Sequence, residues 1–111
     1  MSVRLPLSVV IITLNEESNI LRCLKSVAWA SEILVVDSGS TDRTRELAAK
    51  AGARVLTHQW EGYGQQKNWA MTQVGQPWVL FLDADEEIGS ELQEEICAFL
   101  DSGGVLHGRS F

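Results

Sequence analysis

The chain is poor in the residues that make cross-links and metal knots. Its 111 residues include two cysteines, Cys23 and Cys97, and two histidines, His58 and His107. No CxxC pair exists, and the four are too scattered for a zinc signature. Both cysteines read as reduced, half-buried helix residues of a cytosolic protein. No apolar run nears the roughly 18 residues of a spanning helix, and residues 1–6 carry no signal-peptide pattern. A cytoplasmic protein, attached to a membrane only peripherally, is the expectation. Basic residues are also few: nine Lys and Arg face fifteen Asp and Glu, a net charge of -6. That excludes the basic footprint of a nucleic-acid binder and suits a protein that recruits a cation. The first candidate βα turn, TLNEES, has no glycine, and no G-x-x-x-x-G-K-[ST] exists, so the dinucleotide fingerprint and the P-loop are both missing. No Ser-His-Asp or Cys-His nucleophile set can be assembled.

What is present is a core. Hydrophobic residues make up 45% and charged residues 22%, the balance of one soluble globular domain over residues 1–111. Three short apolar runs, at 9–12, 33–36 and 78–82, are rich in β-branched residues and do not alternate. Strands buried on both faces of a parallel sheet look like this. A weaker fourth, 54–57, fits an edge. The run 78–82 reads as the sheet's central scaffold.

Helical patterns lie between the strands. Ile20, Leu21, Leu24, Val27 and Ala28 share one helical face. A second helix spans 41–51, opened by Ser40 or Thr41 and closed by Gly52. A third covers about 65–73, and a fourth opens with the capping-box pattern SELQ at 90–93. The order β-α-β-α-β-α-β-α predicts an α/β fold: a mainly parallel sheet of about four strands, with helices on both faces. The tail from Asp101 to Phe111 completes no element and reads as the start of something cut off.

Ligands of such sheets bind beyond the carboxyl ends of the strands. Those ends carry TLNEE (13–17), DSGSTD (37–42) and DADEE (83–87). Asp37, Asp83 and Asp85 are thus expected on one edge. Two carboxylates ~4 Å apart repel by about 4 kcal/mol at an effective dielectric of 20. Protonation, hydrogen-bond donors or a cation must relieve them. Carboxylate oxygens suit Mg²⁺ or Mn²⁺, and Mg²⁺ completes its shell with water and substrate phosphates. The chemistry implied is a metal-bridged diphosphate. Each feature has a plainer reading: a solvated Asp-x-Asp loop, a turn at Asp37, a helix start at Asn15 and Glu16. Glu86 and Glu87 read as dipole partners or solvated charges, and His58 and His107 as surface or loop residues. The placement of three such features on one edge favours the ligand reading.

SVVIITLNEE, ILVVDSGSTDRT and WVLFLDADE, in this order and spacing, resemble the nucleotide-binding half of the family 2 glycosyltransferases. The resemblance covers about residues 7–100. It implies the Rossmann-like GT-A three-layer sandwich. HQWEGYGQQKNWAM (58–71) further resembles the branch that adds glucose to the inner core of bacterial lipopolysaccharide. By this resemblance Thr13, Leu14, Asn15 and Glu16 line the nucleotide site, and Asp37 bonds the uracil imide. Lys67, with Asn68, faces the diphosphate. Asp83 approaches the ribose or donor sugar, and Asp85 binds Mg²⁺ or Mn²⁺. The implied activity is inverting transfer of a hexose, glucose from UDP-glucose, to a glycan or glycolipid acceptor such as lipopolysaccharide core. Two departures stand out: Ile12 replaces a frequent proline and Leu14 a frequent tyrosine. The acceptor-binding half is expected beyond Phe111, with the catalytic base and any peripheral membrane contact. The 111 residues alone are expected to bind nucleotide weakly and lack transferase activity. The rivals are a nucleotidyltransferase-like enzyme, which would bring a glycine-rich basic first loop, and a non-catalytic nucleotide-binding module.

Overall fold

The computed structural model describes residues 5–101. Four strands and four helices alternate along them: β1 (Leu5–Thr13), α1 (Ile20–Ser26), β2 (Ala30–Asp37), α2 (Thr44–Lys50), β3 (Arg54–Thr57), α3 (Tyr63–Met71), β4 (Trp78–Asp83) and α4 (Ser90–Asp101). The strands form one sheet in the order β3-β2-β1-β4, and every pairing is parallel. The expected alternation and the parallel sheet are therefore what the chain builds.

Period-two alternation divides each strand between two cores. Val9, Ile11, Val35, Leu80 and Leu82 meet Ile20, Cys23 and Leu24 of α1, Ala48 of α2 and Ile96 of α4. On the other face Val10, Leu34 and Val36 meet Ala70 of α3. Three helices thus cover one face and one covers the other. This double coverage is why the strand runs are continuously apolar.

Several local expectations are corrected. Helix α2 starts at Thr44, not Ser40 or Thr41, because the Ser40 hydroxyl is bonded to the Asn15 amide and Asp37, and the Thr41 hydroxyl donates to Asn15 Oδ1 at 3.3 Å. Gly52 has φ +95° after α2, the left-handed turn that glycine allows. Helix α1 stops at Ser26, two residues before Ala28, and α3 starts at Tyr63. The amide of Gln93 donates to the carbonyl of Gly89 at 3.0 Å. Ser90 therefore already lies inside the first turn of α4 rather than capping it. Among the described residues β4 is an edge strand, not the centre, and β1 is flanked on both sides. Trp78 at its start is 37% exposed and rests edge-to-face on Phe99, with centroids 5.0 Å apart. Cys23 is fully buried rather than half-buried. Burial, then Glu86, Asp85 and Glu16 nearby, push its thiol up to about 12, so it stays protonated and inert. Both cysteines are unpaired, as expected. The tail from 102 onward, His107 included, lies outside the described residues.

Candidate functional site

The register sets the carboxyl ends side by side: Thr13 against Asp37, Asp37 against Thr57, Ile12 against Asp83. Strand order also reverses at β1, because β2 and β3 lie to one side of it and β4 to the other. Open α/β sheets bind ligands in the crevice at such a reversal. By that rule the ligand position falls between the loop after Thr13 and the turn after Asp83.

The loops after β1 and β2 are bonded across to each other. The amides of Asn15 and Glu16 donate to the hydroxyls of Ser40 and Thr44, both at 2.8 Å, and the Glu17 amide to Asp42 at 3.2 Å. In return the Thr41 amide donates to Asn15 Oδ1 at 2.8 Å. Asn15 has φ +53°, which asparagine tolerates better than most side chains. Asn15→Ala is expected to cost about 2 kcal/mol, from strain plus the lost bond, and Asn15→Gly about 1 kcal/mol, since glycine removes the strain. Urea unfolding of the two variants checks the difference.

Asp37 lies at the carboxyl end of β2, enclosed by the loop that follows it. Its side chain is fully buried. Oδ1 accepts the hydroxyls of Thr13, at 2.7 Å, and Ser40; Oδ2 accepts the amides of Gly39 at 3.0 Å and Ser40 at 2.7 Å. Arg45 adds its guanidinium at 3.6 Å. Burial alone would raise this carboxyl, but the donors of Ser40, Thr13 and Gly39 outweigh it and hold it below the usual carboxylate range. With both oxygens bonded to neighbouring donors, Asp37 anchors the loop. Thr13, also buried, donates its hydroxyl to Asp37. Leu14 faces outward, 55% exposed. Glu16 is half-buried and accepts from Asn19 Nδ2 at 3.1 Å.

The turn after β4 is closed by Glu86. Its Oε1 accepts the Asp83 amide at 2.8 Å, and its own amide donates to the Asp83 carbonyl at 2.9 Å. Glu86 therefore shapes the acidic turn and is more than a solvated charge. Glu87 makes an exposed ion pair with Arg22 at 3.3 Å, a contact of little energetic weight. The Asp83 and Asp85 side chains are both exposed. Among the described residues the Asp85 carboxylate has no hydrogen-bond partner, and Asp83 has one, Tyr63, whose hydroxyl donates to Oδ1 at 2.6 Å.

Lys67 comes to the same place. Its ammonium lies 4.7 Å from the centroid of the Tyr63 ring and 5.2 Å from that of Phe81, within cation–π range of both. Asn68 is exposed one residue on. His58 lies in the loop after β3, as expected, where it stacks on Trp69 at 4.0 Å and its Nδ1 meets Gln66 Oε1 at 2.7 Å. Gln66, fully buried, donates Nε2 to Ser38 Oγ at 3.3 Å and to the His58 carbonyl at 3.2 Å. The structure thus brings Lys67 and Asp83 together through Tyr63, with Asp85 on the adjoining turn. It sets Thr13 and Asp37 behind them. Tyr63, Gln66 and Glu86 are the residues that sequence reasoning missed. The GYGQQKN run was a visible signal for the first two, and Asp-x-x-Glu for the third.

With this geometry in view, residues 8–108 match the profile of Glycosyl transferase family 2. The chain belongs to that family. It is 43% identical over 110 residues to the lipopolysaccharide core biosynthesis glycosyltransferase LpsC of Rhizobium meliloti, covering 95% of this chain and 41% of that protein. Among solved structures it is similar to Staphylococcus aureus TarS 1-349, with TM-score 0.72 and 29% identity, over 95% of this chain and 37% of the other. Glucosyl-3-phosphoglycerate synthase of Mycobacterium tuberculosis, in complex with Mn²⁺, UDP-glucose and phosphoglyceric acid, matches with TM-score 0.65 and 29% identity, over 73% of this family 2 chain and 35% of the synthase. The fold is the GT-A α/β sandwich expected from the sequence. The family 2 chain spans about two-fifths of the length of the curated relative LpsC. No helix among the described residues is long and apolar enough to cross a membrane.

Proposed function

We propose that this chain is the nucleotide-sugar-binding part of an inverting hexosyltransferase that takes glucose from UDP-glucose. The observation that carries the reading is the pair of exposed carboxylates, Asp83 and Asp85, where strand order reverses, with the Lys67 ammonium over the Tyr63 ring whose hydroxyl donates to Asp83. Support comes from the synthase above, a neighbour in complex with Mn²⁺ and UDP-glucose. A lipopolysaccharide core sugar is the proposed acceptor, on the strength of the LpsC likeness.

The residues fit a divalent cation that arrives with its diphosphate. Among the described residues no group of three or more His, Cys, Asp or Glu could hold a metal unaided. Two carboxylates are the protein share that Mg²⁺ or Mn²⁺ takes when phosphate oxygens and water complete the shell. Asp85, whose carboxylate has no hydrogen-bond partner among the described residues, would hold the cation, and Asp83 would face the ribose or donor sugar. When bound, the cation neutralises charge on the departing diphosphate. Lys67 adds a positive charge on the other side. Leu14 offers an apolar wall, and Asn15 and Glu16 fix the loop that carries it. The nucleotide binds here in the absence of the acceptor half, but weakly, and transfer requires the rest of the protein.

The test is calorimetric titration of the chain with UDP and with GDP, each with and without Mn²⁺. UDP binding that strengthens at least about tenfold with Mn²⁺, about 1.4 kcal/mol, is the expected result. Equal or absent binding with and without the cation would overturn the reading, and a preference for GDP would remove its uridine part.

A further inference from the structure

We propose that Tyr63 is a positioning residue for Asp83: its hydroxyl fixes one carboxylate oxygen so that the other faces the donor sugar. The proposal rests on the reading of Asp83 as a sugar or ribose ligand. Glu86 holds the Asp83 main chain through both its amide and its carbonyl. Nothing in that turn fixes the side chain, which is exposed and free to rotate about its own bonds. Among the described residues the only hydrogen-bond donor to this carboxylate is Tyr63, at 2.6 Å on Oδ1, and Oδ2 has none. A hydroxyl-to-carboxylate bond of this length is charge-assisted and among the stronger kinds.

Tyr63 is itself braced. It opens α3 directly after Gly62, whose φ of +110° turns the chain into the helix. Its ring meets Trp60 edge-to-face at 5.9 Å and carries the Lys67 ammonium at 4.7 Å. Yet the side chain is 45% exposed, so burial does not account for a large aromatic here. The rotamer directs the phenol to Asp83, twenty residues away in sequence. The Tyr63 side chain thus touches both the cationic and the anionic group of the site. Effects at this kind of contact arise through orientation, and a misplaced ligand group costs affinity without costing stability.

A double-mutant cycle separates this role from a passive surface contact. UDP-glucose with Mn²⁺ is titrated into the 111-residue chain, Tyr63→Phe, Asp83→Ala and the double variant. Phenylalanine keeps the ring that Trp60 and Lys67 touch. Tyr63→Phe is expected to weaken binding about five- to tenfold, in keeping with loss of one hydrogen bond to a charged group. In the Asp83→Ala background it should weaken binding no further. Equal losses in both backgrounds, or none in the first while Asp83→Ala binds poorly, overturn the positioning role and leave the site reading standing. Parental affinity in Asp83→Ala overturns both. A second measurement leaves Tyr63 untouched. It is the sole tyrosine of the sequence, so ¹³Cζ-tyrosine labelling yields one phenol resonance. That resonance is expected to shift in Asp83→Ala but not in Glu87→Gln; an unmoved resonance in Asp83→Ala overturns the proposal.

Discussion

Asp85→Ala is expected to remove the Mn²⁺-dependent part of nucleotide binding while leaving the fold untouched. The Asp85 side chain is exposed and no described residue hydrogen-bonds to it. Removing it leaves no buried group orphaned, so urea unfolding should move by less than about 0.5 kcal/mol. Binding is another matter. Of the exposed carboxylates in the turn after β4, Glu86 holds the Asp83 amide, Glu87 pairs with Arg22 and Asp83 gives an oxygen to Tyr63, which leaves Asp85 without a partner among the described residues. Loss of the free one withdraws a full charge from a divalent cation at contact distance. A loss of about 100-fold in the affinity for UDP with Mn²⁺, ~2.7 kcal/mol, is the expected size. Affinity without the cation should be nearly unchanged. Calorimetry on the two proteins with and without Mn²⁺ decides it. A variant that retains the full cation effect would show that Asp85 is not the metal ligand.

Asp37→Ala is expected to do the opposite, damaging the fold first. The substitution strips the acceptor from two hydroxyls and two amides in a buried position. The hydroxyls can turn to other acceptors; the Gly39 and Ser40 amides cannot. The expected destabilisation is about 3–4 kcal/mol, large for a single site. The sign of the pH dependence follows from the direction of the shift. The folded carboxyl lies below its ordinary value of 3.8, so the unfolded chain binds the proton more readily. The stabilisation is fully present above the ordinary value and is lost as pH falls through the folded one. Urea midpoints measured between neutral pH and pH 3 should fall for the parent, and fall less for Asp37→Ala. Parallel curves for the two proteins would show that Asp37 contributes nothing to acid lability. Nucleotide affinity of Asp37→Ala should drop as well, because the loop that Asp37 anchors is loosened.

The strands were legible because burial on both faces writes continuous apolar runs, and 9–12, 33–36 and 78–82 all fall inside observed strands. Convergence of polar groups on one edge followed from the parallel order alone. What sequence could not show is which way a carboxylate points. Asp37 and Asp83 each follow an apolar run and look alike on paper. One is enclosed by donors from its own loop; the other stands in solvent. The difference depends on Thr13, twenty-four residues upstream of Asp37. Helix starts suffered for the same reason, since Ser40 and Thr41 are good caps locally but are engaged across the loops. The Tyr63 contact joins two elements on pairing geometry that no local pattern encodes.

The cross-bonding of the loops after β1 and β2 has a kinetic side. Four amide-to-side-chain bonds join 15–17 to 40–44, so neither loop can rearrange without breaking its hold on the other. The conformational entropy of both is surrendered at folding, before any ligand arrives. Association then meets a rigid floor, and the ordering penalty that usually opposes capture of a flexible nucleotide is confined to the nucleotide itself. Adaptation on this side of the crevice is thereby left to side chains such as Leu14, which can change rotamer within nanoseconds while the backbone beneath stays still.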